Sequence, residues 1–270
     1  MQSDRARAFL DRHSQPGAFA LPNVWSPGVA KVVAAAGFGA LATTSAGIAF
    51  SLGLPDDGSI GRERMLAEIA AITEAVDIPV SADVESGYGP DPEDVARTIT
   101  GVIAAGAVGA NIEDAISGSP LDVERAVERI AAARQAADQS GLPFTLNARA
   151  DSYLVGHPDA FADAVARAER YRAAGADCVF VPGASDADTI GRLAAAIGAP
   201  LNVVAGLSGE PLDLATYDRL GVRRVSVGGS LARAALGLVQ RAAADMYERG
   251  VFEFSAGAIP NSEINRAFAR

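Results

Sequence analysis

The chain has 270 residues, 49% of them hydrophobic and 21% charged. This composition excludes a disordered polypeptide, and the length suits one barrel of eight βα units, which needs about 250 residues. A formal net charge of −10 at pH 7 and a pI near 4.7 argue against nucleic acid and anionic lipid as partners, because phosphates are held by clustered Lys and Arg.

In chain order, the N-terminal stretch M-Q-S-D-R-A-R-A-F-L-D-R-H carries charges throughout and lacks the apolar core of a secretory signal. Nor does the chain contain about 20 uninterrupted apolar residues, the length a membrane span needs. A cytoplasmic location with no membrane partner is therefore expected. His13 is expected on the surface of an N-terminal helix, and His157, beside Pro158, as a helix cap. Apolar runs predict eight strands near Phe19–Val24, Ala40–Ser45, Pro79–Val84, Ala107–Ile112, Phe144–Ala148, Cys178–Val181, Leu201–Ala205 and Arg224–Val227, with helical periodicity between them.

Ser26-Pro27 and Asp91-Pro92 place a capping side chain before a proline at the first helical position. Gly37, Gly106 and Gly175 recur 69 residues apart after Ala-Ala pairs, each as the residue that ends a helix, so the pattern counts βα units in pairs. Continuously apolar strands belong to a buried parallel sheet. The predicted architecture is an α/β (β/α)8 barrel forming a single domain over residues 1–270, with one more helix in the tail. Phe252, Phe254, Ile264 and Phe268 of that tail are expected to anchor it either on its own barrel or on a neighbouring subunit. A doubly wound open sheet also fits the periodicity, but no G-x-G-x-x-G follows the first strand. The single cysteine, Cys178, lies inside an apolar strand and has no partner for an internal disulfide.

Reacting groups in such barrels cluster at the C-terminal ends of the strands. Here strand two ends in Thr43-Thr44-Ser45 and leads towards Asp56; strand three ends in Asp83-Val84-Glu85-Ser86-Gly87-Tyr88-Gly89. Strand four ends in Asn111-Ile112-Glu113-Asp114 and strand five in Asn147-Ala148-Arg149-Ala150-Asp151. Carboxylates converging on one mouth repel one another, and a hard divalent cation relieves that repulsion. Mg2+ is expected, with Mn2+ as its substitute: Asp83 as direct ligand, Glu85 and Glu113 acting through water. The bland alternative is that each carboxylate caps the next helix. Arg149, ending an apolar strand, is either a clamp on a substrate carboxylate or developing oxyanion, or the salt-bridge partner of Glu113 or Asp151. Thr43, Thr44 and Ser45 offer hydroxyls and N–H groups to a carboxylate. Trp25, after the first strand, and Asn202, in the seventh, are also assigned to substrate binding. No Cys/His cluster for zinc, no G-x-S-x-G and no phosphate-loop motif occurs.

The phrases L-P-N-V-W, T-T-S-A-G-I-A-F-S-L-G-L-P-D, D-V-E-S-G-Y-G, G-A-N-I-E-D, N-A-R-A-D-S-Y and A-G-A-D-C-V-F-V-P, in this order between Leu21 and Val227, resemble the isocitrate lyase and phosphoenolpyruvate mutase superfamily. The resemblance implies a Mg2+-dependent barrel, often a tetramer with exchanged C-terminal helices, that acts on 2-oxo or 2-hydroxy acids. It places the family's metal-binding aspartates on Asp83 and Glu85, its metal-shell glutamate on Glu113 and its active-site arginine on Arg149. The substrate-cradling small residues fall on Thr44 and Ser45, and the aspartate after strand two on Asp56. Where isocitrate and methylisocitrate lyases carry K-[KR]-C-G-H after strand four, this chain has Asp114-Ala115-Ile116-Ser117-Gly118-Ser119-Pro120, with no cysteine acid. That lid is also shorter than in the mutase and phosphonopyruvate hydrolase branches.

Three functions follow as expectations. The first is a Mg2+-dependent lyase or decarboxylase that releases a pyruvate-type enolate from a small anionic substrate, with Asp56, Tyr88 or a metal-bound water delivering the proton and Glu113 and Arg149 completing the reacting set. The second is phosphonate P–C bond chemistry at the same site. The third is an oxo-acid-binding barrel without turnover. A homo-oligomer, dimer or tetramer, is expected.

Overall fold

Pro22 divides the first strand into two short pieces, and the sheet closes across this break. The computed structural model describes residues 1–207, 209 and 212–269. We number the barrel strands β1 (Phe19–Leu21 with Asn23–Val24), β2 (Leu41–Thr43), β3 (Val80–Asp83), β4 (Gly109–Ile112), β5 (Thr145–Arg149), β6 (Cys178–Phe180), β7 (Leu201–Val204) and β8 (Arg224–Ser226). The first piece of β1 pairs with β8 and the second with β2, and every other neighbour is consecutive and parallel. The result is the expected (β/α)8 barrel. All eight expected strands form, each within a few residues of the apolar run that predicted it.

The helices behave as their end signals dictate. Ser26 caps α2 (Pro27–Ala35) by accepting from Val29 N–H, and Asp91 with Asp94 forms a capping box on α5 (Pro92–Ala104), satisfying donors that a helix start otherwise leaves orphaned. Gly37, Gly106 and Gly175 all have positive φ, between +88° and +103°, the conformation for which a residue without Cβ is required.

Strand register divides the barrel residues between two environments. Ala82, Ala110, Leu146, Ala148, Val179, Val203 and Val225 face outwards into the main core beneath the helices. Their alternates point inwards: Asp83 is level with Asn111, Asn111 with Asn147, Arg149 with Phe180, Phe180 with Asn202, and Asn202 with Arg224. Barrel interiors are usually filled with branched apolar side chains, so this inner lining is unusually polar. Helix α1 (Gln2–Ser14) plugs the N-terminal end of the barrel through Ala6 and Phe9, which pack with Phe19, Leu21, Ala40, Ala42 and Val108.

His13 does not lie on the surface as expected. It is buried in this plug between the rings of Phe9 and Phe19, its Nδ1 2.9 Å from the Phe9 carbonyl. Burial, helped by the nearby Arg224 charge, pushes its pKa down to about 3. His157 does act at a helix start, with its Nδ1 accepting from Asp159 N–H at 3.2 Å.

After β8 the chain forms α10 (Ser230–Arg249), a 3-10 turn (Glu253–Gly257) and α11 (Asn261–Phe268). The last helix packs on α2 of its own barrel, with Phe268 over Gly28 and Lys31 Nζ donating to the Phe268 carbonyl at 3.0 Å. Phe252 and Phe254 nevertheless remain exposed, as do Leu236, Leu238, Val239 and Tyr247 on α10. No helix among the described residues is long and apolar enough to cross a membrane.

Candidate active site

One cavity of about 1080 Å³ opens at the C-terminal ends of the strands and descends into the barrel. Asp56, Asp83, Glu85, Tyr88, Glu113 and Arg149 all line it, as do Thr44, Ser45 and Asn202.

Asp83 is the most firmly held of the carboxylates. Its Oδ2 accepts from both the backbone N–H and the hydroxyl of Ser45, each at 2.9 Å, and its Oδ1 from Asn111 Nδ2 at 2.7 Å. The Ser45 hydroxyl also lies 3.4 Å from Asp56 Oδ1. Ser45 therefore orients Asp83, whereas the sequence assigned it to a substrate carboxylate. Thr44 serves as N-cap of α3 (Ser45–Ser51), accepting from Gly47 N–H. Thr43 is level with Val24 and faces the outer core, where its hydroxyl accepts from Asp83 N–H at 2.8 Å. It braces the strand and leaves the cavity wall to its neighbours. Trp25 packs behind Gly47 and is not among the residues that line the cavity.

The loop after β3 carries Glu85 and Tyr88, both at positive φ (51° and 56°), a conformation uncommon outside glycine and found where surrounding contacts enforce it. The contacts are plain. The carbonyls of Ser86 and Gly89 accept from buried Arg129, that of Gly87 from Thr98, and that of Tyr88 from Arg62. Four successive carbonyls are thus fixed by side chains, and the loop presents Glu85 with its Oε1 3.2 Å from the Tyr88 hydroxyl.

Arg149 donates to Glu113 Oε1 and to Asp151 Oδ1, both at 2.5 Å, with its guanidinium carbon 5.5 Å from the centre of the Phe180 ring. Asp151 in turn accepts this bond from a buried position, while its N–H donates to Asp114, which Arg167 and Tyr171 hold from behind. Both structural partners foreseen for Arg149 are therefore real, and they set its plane at the cavity wall.

The electrostatics follow from burial and crowding. Burial and then the Asp83 and Asp56 charges raise the Glu85 pKa to about 7. Asp56 is raised by burial and by Asp83. Burial also raises Glu113 and Asp151, against the pull of Arg149. For Arg149 burial opposes the charge, but Glu113 and Asp151 outweigh it, so the guanidinium stays protonated. Tyr88 is raised by burial and by Glu85, and remains a hydroxyl donor.

Among the described residues no three His, Cys, Asp or Glu side chains are already gathered as a metal-binding cluster. The donor chemistry still fits a hard cation. The Asp83 charge raises the proton affinity of both Glu85 and Asp56, and Asp56 that of Glu85, across a shared cavity, and an ion that keeps most of its waters needs only one or two direct carboxylates. Above the mouth, Ala115–Ile116 and Ser119–Pro120 form a small antiparallel hairpin around Ser117 and Gly118, at φ +50° and +74°. These are the paired positive φ values of a tight two-residue turn, so the short lid is an ordered ribbon.

The phosphoenolpyruvate phosphomutase family model matches residues 9–247. The chain belongs to that family. It is thereby a member of the isocitrate lyase and phosphoenolpyruvate mutase superfamily that its motifs resemble. An uncharacterized protein of Mycobacterium tuberculosis is 36% identical over 221 residues, covering 82% of this chain and 81% of that protein. The protein named "Probable 2-methylisocitrate lyase 2" of Corynebacterium glutamicum is 28% identical over 260 residues, covering 92% of this chain and 83% of that one. A Burkholderia cenocepacia J2315 structure, named only provisionally as a lyase/mutase, superposes with a TM-score of 0.96 at 50% identity over 100% of this chain and 97% of that chain.

Residues that sequence reasoning did not single out include Asn111 as the second holder of Asp83, Arg62 and Arg129 as clamps on the β3 loop, and Arg224 inside the barrel. The first was legible as a polar strand end next to Glu113. The two clamps lie in helices far along the chain, where an arginine looks like any solvated charge.

Proposed function

We propose that the protein is a lyase or decarboxylase that breaks a bond next to the carbonyl of a small 2-oxo or 2-hydroxy carboxylic acid, leaving a pyruvate-type enolate. The observation that carries this reading is the pairing of a fixed, fully charged Arg149 with a crowded set of carboxylates around Asp83 in one water-accessible cavity. Asp83, Glu85 and Glu113 would hold Mg2+ or Mn2+, and the bound ion would supply Lewis-acid polarisation of the substrate carbonyl. Arg149 attracts the substrate's anionic end and the charge that develops on its oxygen. Tyr88, protonated and bonded to Glu85, and Asp56, with its raised pKa, are the groups positioned to move a proton. The hairpin lid narrows access to water.

The family model favours P–C bond chemistry as the second reading, since its description names a phosphomutase. A panel of oxaloacetate, substituted 2-hydroxy diacids and phosphonopyruvate, each with Mg2+ or with chelator, separates the readings by product. Metal-dependent pyruvate from a diacid supports the lyase, phosphoenolpyruvate or pyruvate with phosphate from phosphonopyruvate supports P–C bond chemistry, and silence across the panel overturns both in favour of an oxo-acid-binding barrel. We further propose a homo-oligomer, on the strength of the exposed apolar row along α10 and the adjoining Phe252 and Phe254.

A further inference from the structure

Arg224 lies on the inner face of β8, only 1% exposed, and reaches across the barrel so that its Nη2 lies 3.5 Å from the Ser81 hydroxyl on β3. Its Nε and Nη1 have no protein partner. A buried guanidinium without an anion is costly, and such charges are normally paired.

The nearby groups do not supply the missing charge. His13, below it, is held neutral by burial. Cys178 carries a thiol whose pKa burial pushes up to about 12. Asp83 attracts Arg224, but it stands two residues further along β3 than Ser81, about 6.6 Å at the rise of a parallel strand, and its oxygens bond Ser45 and Asn111 instead of the guanidinium. The Phe9 ring centre, 5.9 Å from the guanidinium carbon, closes the floor. Beside Arg224 in the sheet, Asn202 points into the same cavity; its Oδ1 accepts from Ser226, and its Nδ2 is likewise without a protein partner.

We propose that Arg224 and Asn202 form an anion-binding subsite inside the barrel that takes the far carboxylate of a short dicarboxylate, whose reacting end lies at Asp83 and Arg149. This rests on the reading of the substrate as a small organic acid and adds to it a requirement for a second negative charge. Both side chains line the same continuous cavity as the acidic mouth and carry buried donors without a protein partner, and the two-residue offset between Ser81 and Asp83 sets the separation of the two ends. Guanidinium to carboxylate is a pairing of matched geometry.

The test compares 2-oxoglutarate with the length-matched monoacid 2-oxovalerate by calorimetry, with Mg2+ present, on the wild-type protein, Arg224→Met and Arg224→Lys. The wild type is expected to bind the diacid at least tenfold more tightly, Arg224→Met to lose this preference, and Arg224→Lys to retain part of it. An unpaired buried charge costs stability, so Arg224→Met is expected to fold, and a thermal melt checks this; should it unfold, Arg224→Lys and Asn202→Ala, each with a reduced preference, carry the same comparison. An unchanged preference in the folded variants, or no preference in the wild type, overturns the subsite. Chloride binding that depends on Arg224 without any diacid preference assigns the position to a free halide and also overturns it. The turnover panel is independent: no reaction together with Arg224-dependent diacid selectivity removes the lyase reading and leaves the subsite, while pyruvate release with unchanged selectivity does the reverse.

Discussion

Glu85 sits at positive φ in a cavity where burial, Asp83 and Asp56 all act against its charge. Its folded pKa of about 7 lies above the ordinary 4.5, so the folded state binds a proton more tightly than the unfolded chain does. The sign follows: the stability this proton supplies is fully present below about pH 4.5 and is lost as pH rises towards 7. Glu85→Gln, which cannot ionise, should therefore melt progressively higher than the wild type as pH is raised through that window without divalent cation, and a constant difference in melting temperature would refute the assignment. Arg149 makes a different kind of prediction. A lysine keeps the charge but cannot donate to Glu113 and Asp151 in the same fork, so Arg149→Lys should lower kcat by about 10²-fold or more, measured on whichever acid the wild type turns over. At this scale the sequence was informative where a charged residue ends an apolar strand, as at Asp83 and Arg149. It misled at Thr43, because three consecutive small polar residues look alike until strand register turns one of them outwards. Arg224 escaped notice because it opens the run that predicts the eighth strand, and only barrel closure shows that its side chain turns inwards.

The loop after β3 shows how an element far along the chain shapes the site. Arg129, on α6 (Val123–Gln139), is buried and donates to the carbonyls of Ser86 and Gly89, holding a backbone that carries two residues in the left-handed region. Arg129→Ala is expected to cost on the order of 2–3 kcal/mol in urea unfolding and to reduce turnover by misplacing Glu85. Unchanged stability would mean that the loop holds its shape without the clamp. The eight strands and the caps at Ser26 and Asp91 were legible, since hydrophobic runs and proline at the first helical position are direct consequences of burial and backbone geometry. The lid hairpin was not. Each of its strands has two residues, too few for any periodicity, and its turn uses Ser117 rather than a second glycine at positive φ.

For the whole molecule, barrel closure across Pro22 gathers residues from β2, β3, β4 and β5 at one mouth, and this convergence was foreseen from strand order alone. The polar interior below that mouth and the burial of His13 under it were not, because both depend on how α1 plugs the other end. The exposed row on α10 predicts association: the doubly substituted Val239→Glu, Tyr247→Ser should run at a smaller mass than the wild type in light scattering after size exclusion, and a wild type already monomeric at 27.5 kDa would contradict the assigned homo-oligomer. On the proposed reading, the acidic mouth and Arg149 together form a cation-assisted oxyanion site. Oxalate, a planar mimic of the pyruvate enolate, tests it most directly by calorimetry on the wild type and on Asp83→Ala, with Mg2+ and with chelator. Binding that requires both Mg2+ and Asp83 is the predicted result; oxalate that binds equally well in chelator, or equally well to Asp83→Ala, would contradict it.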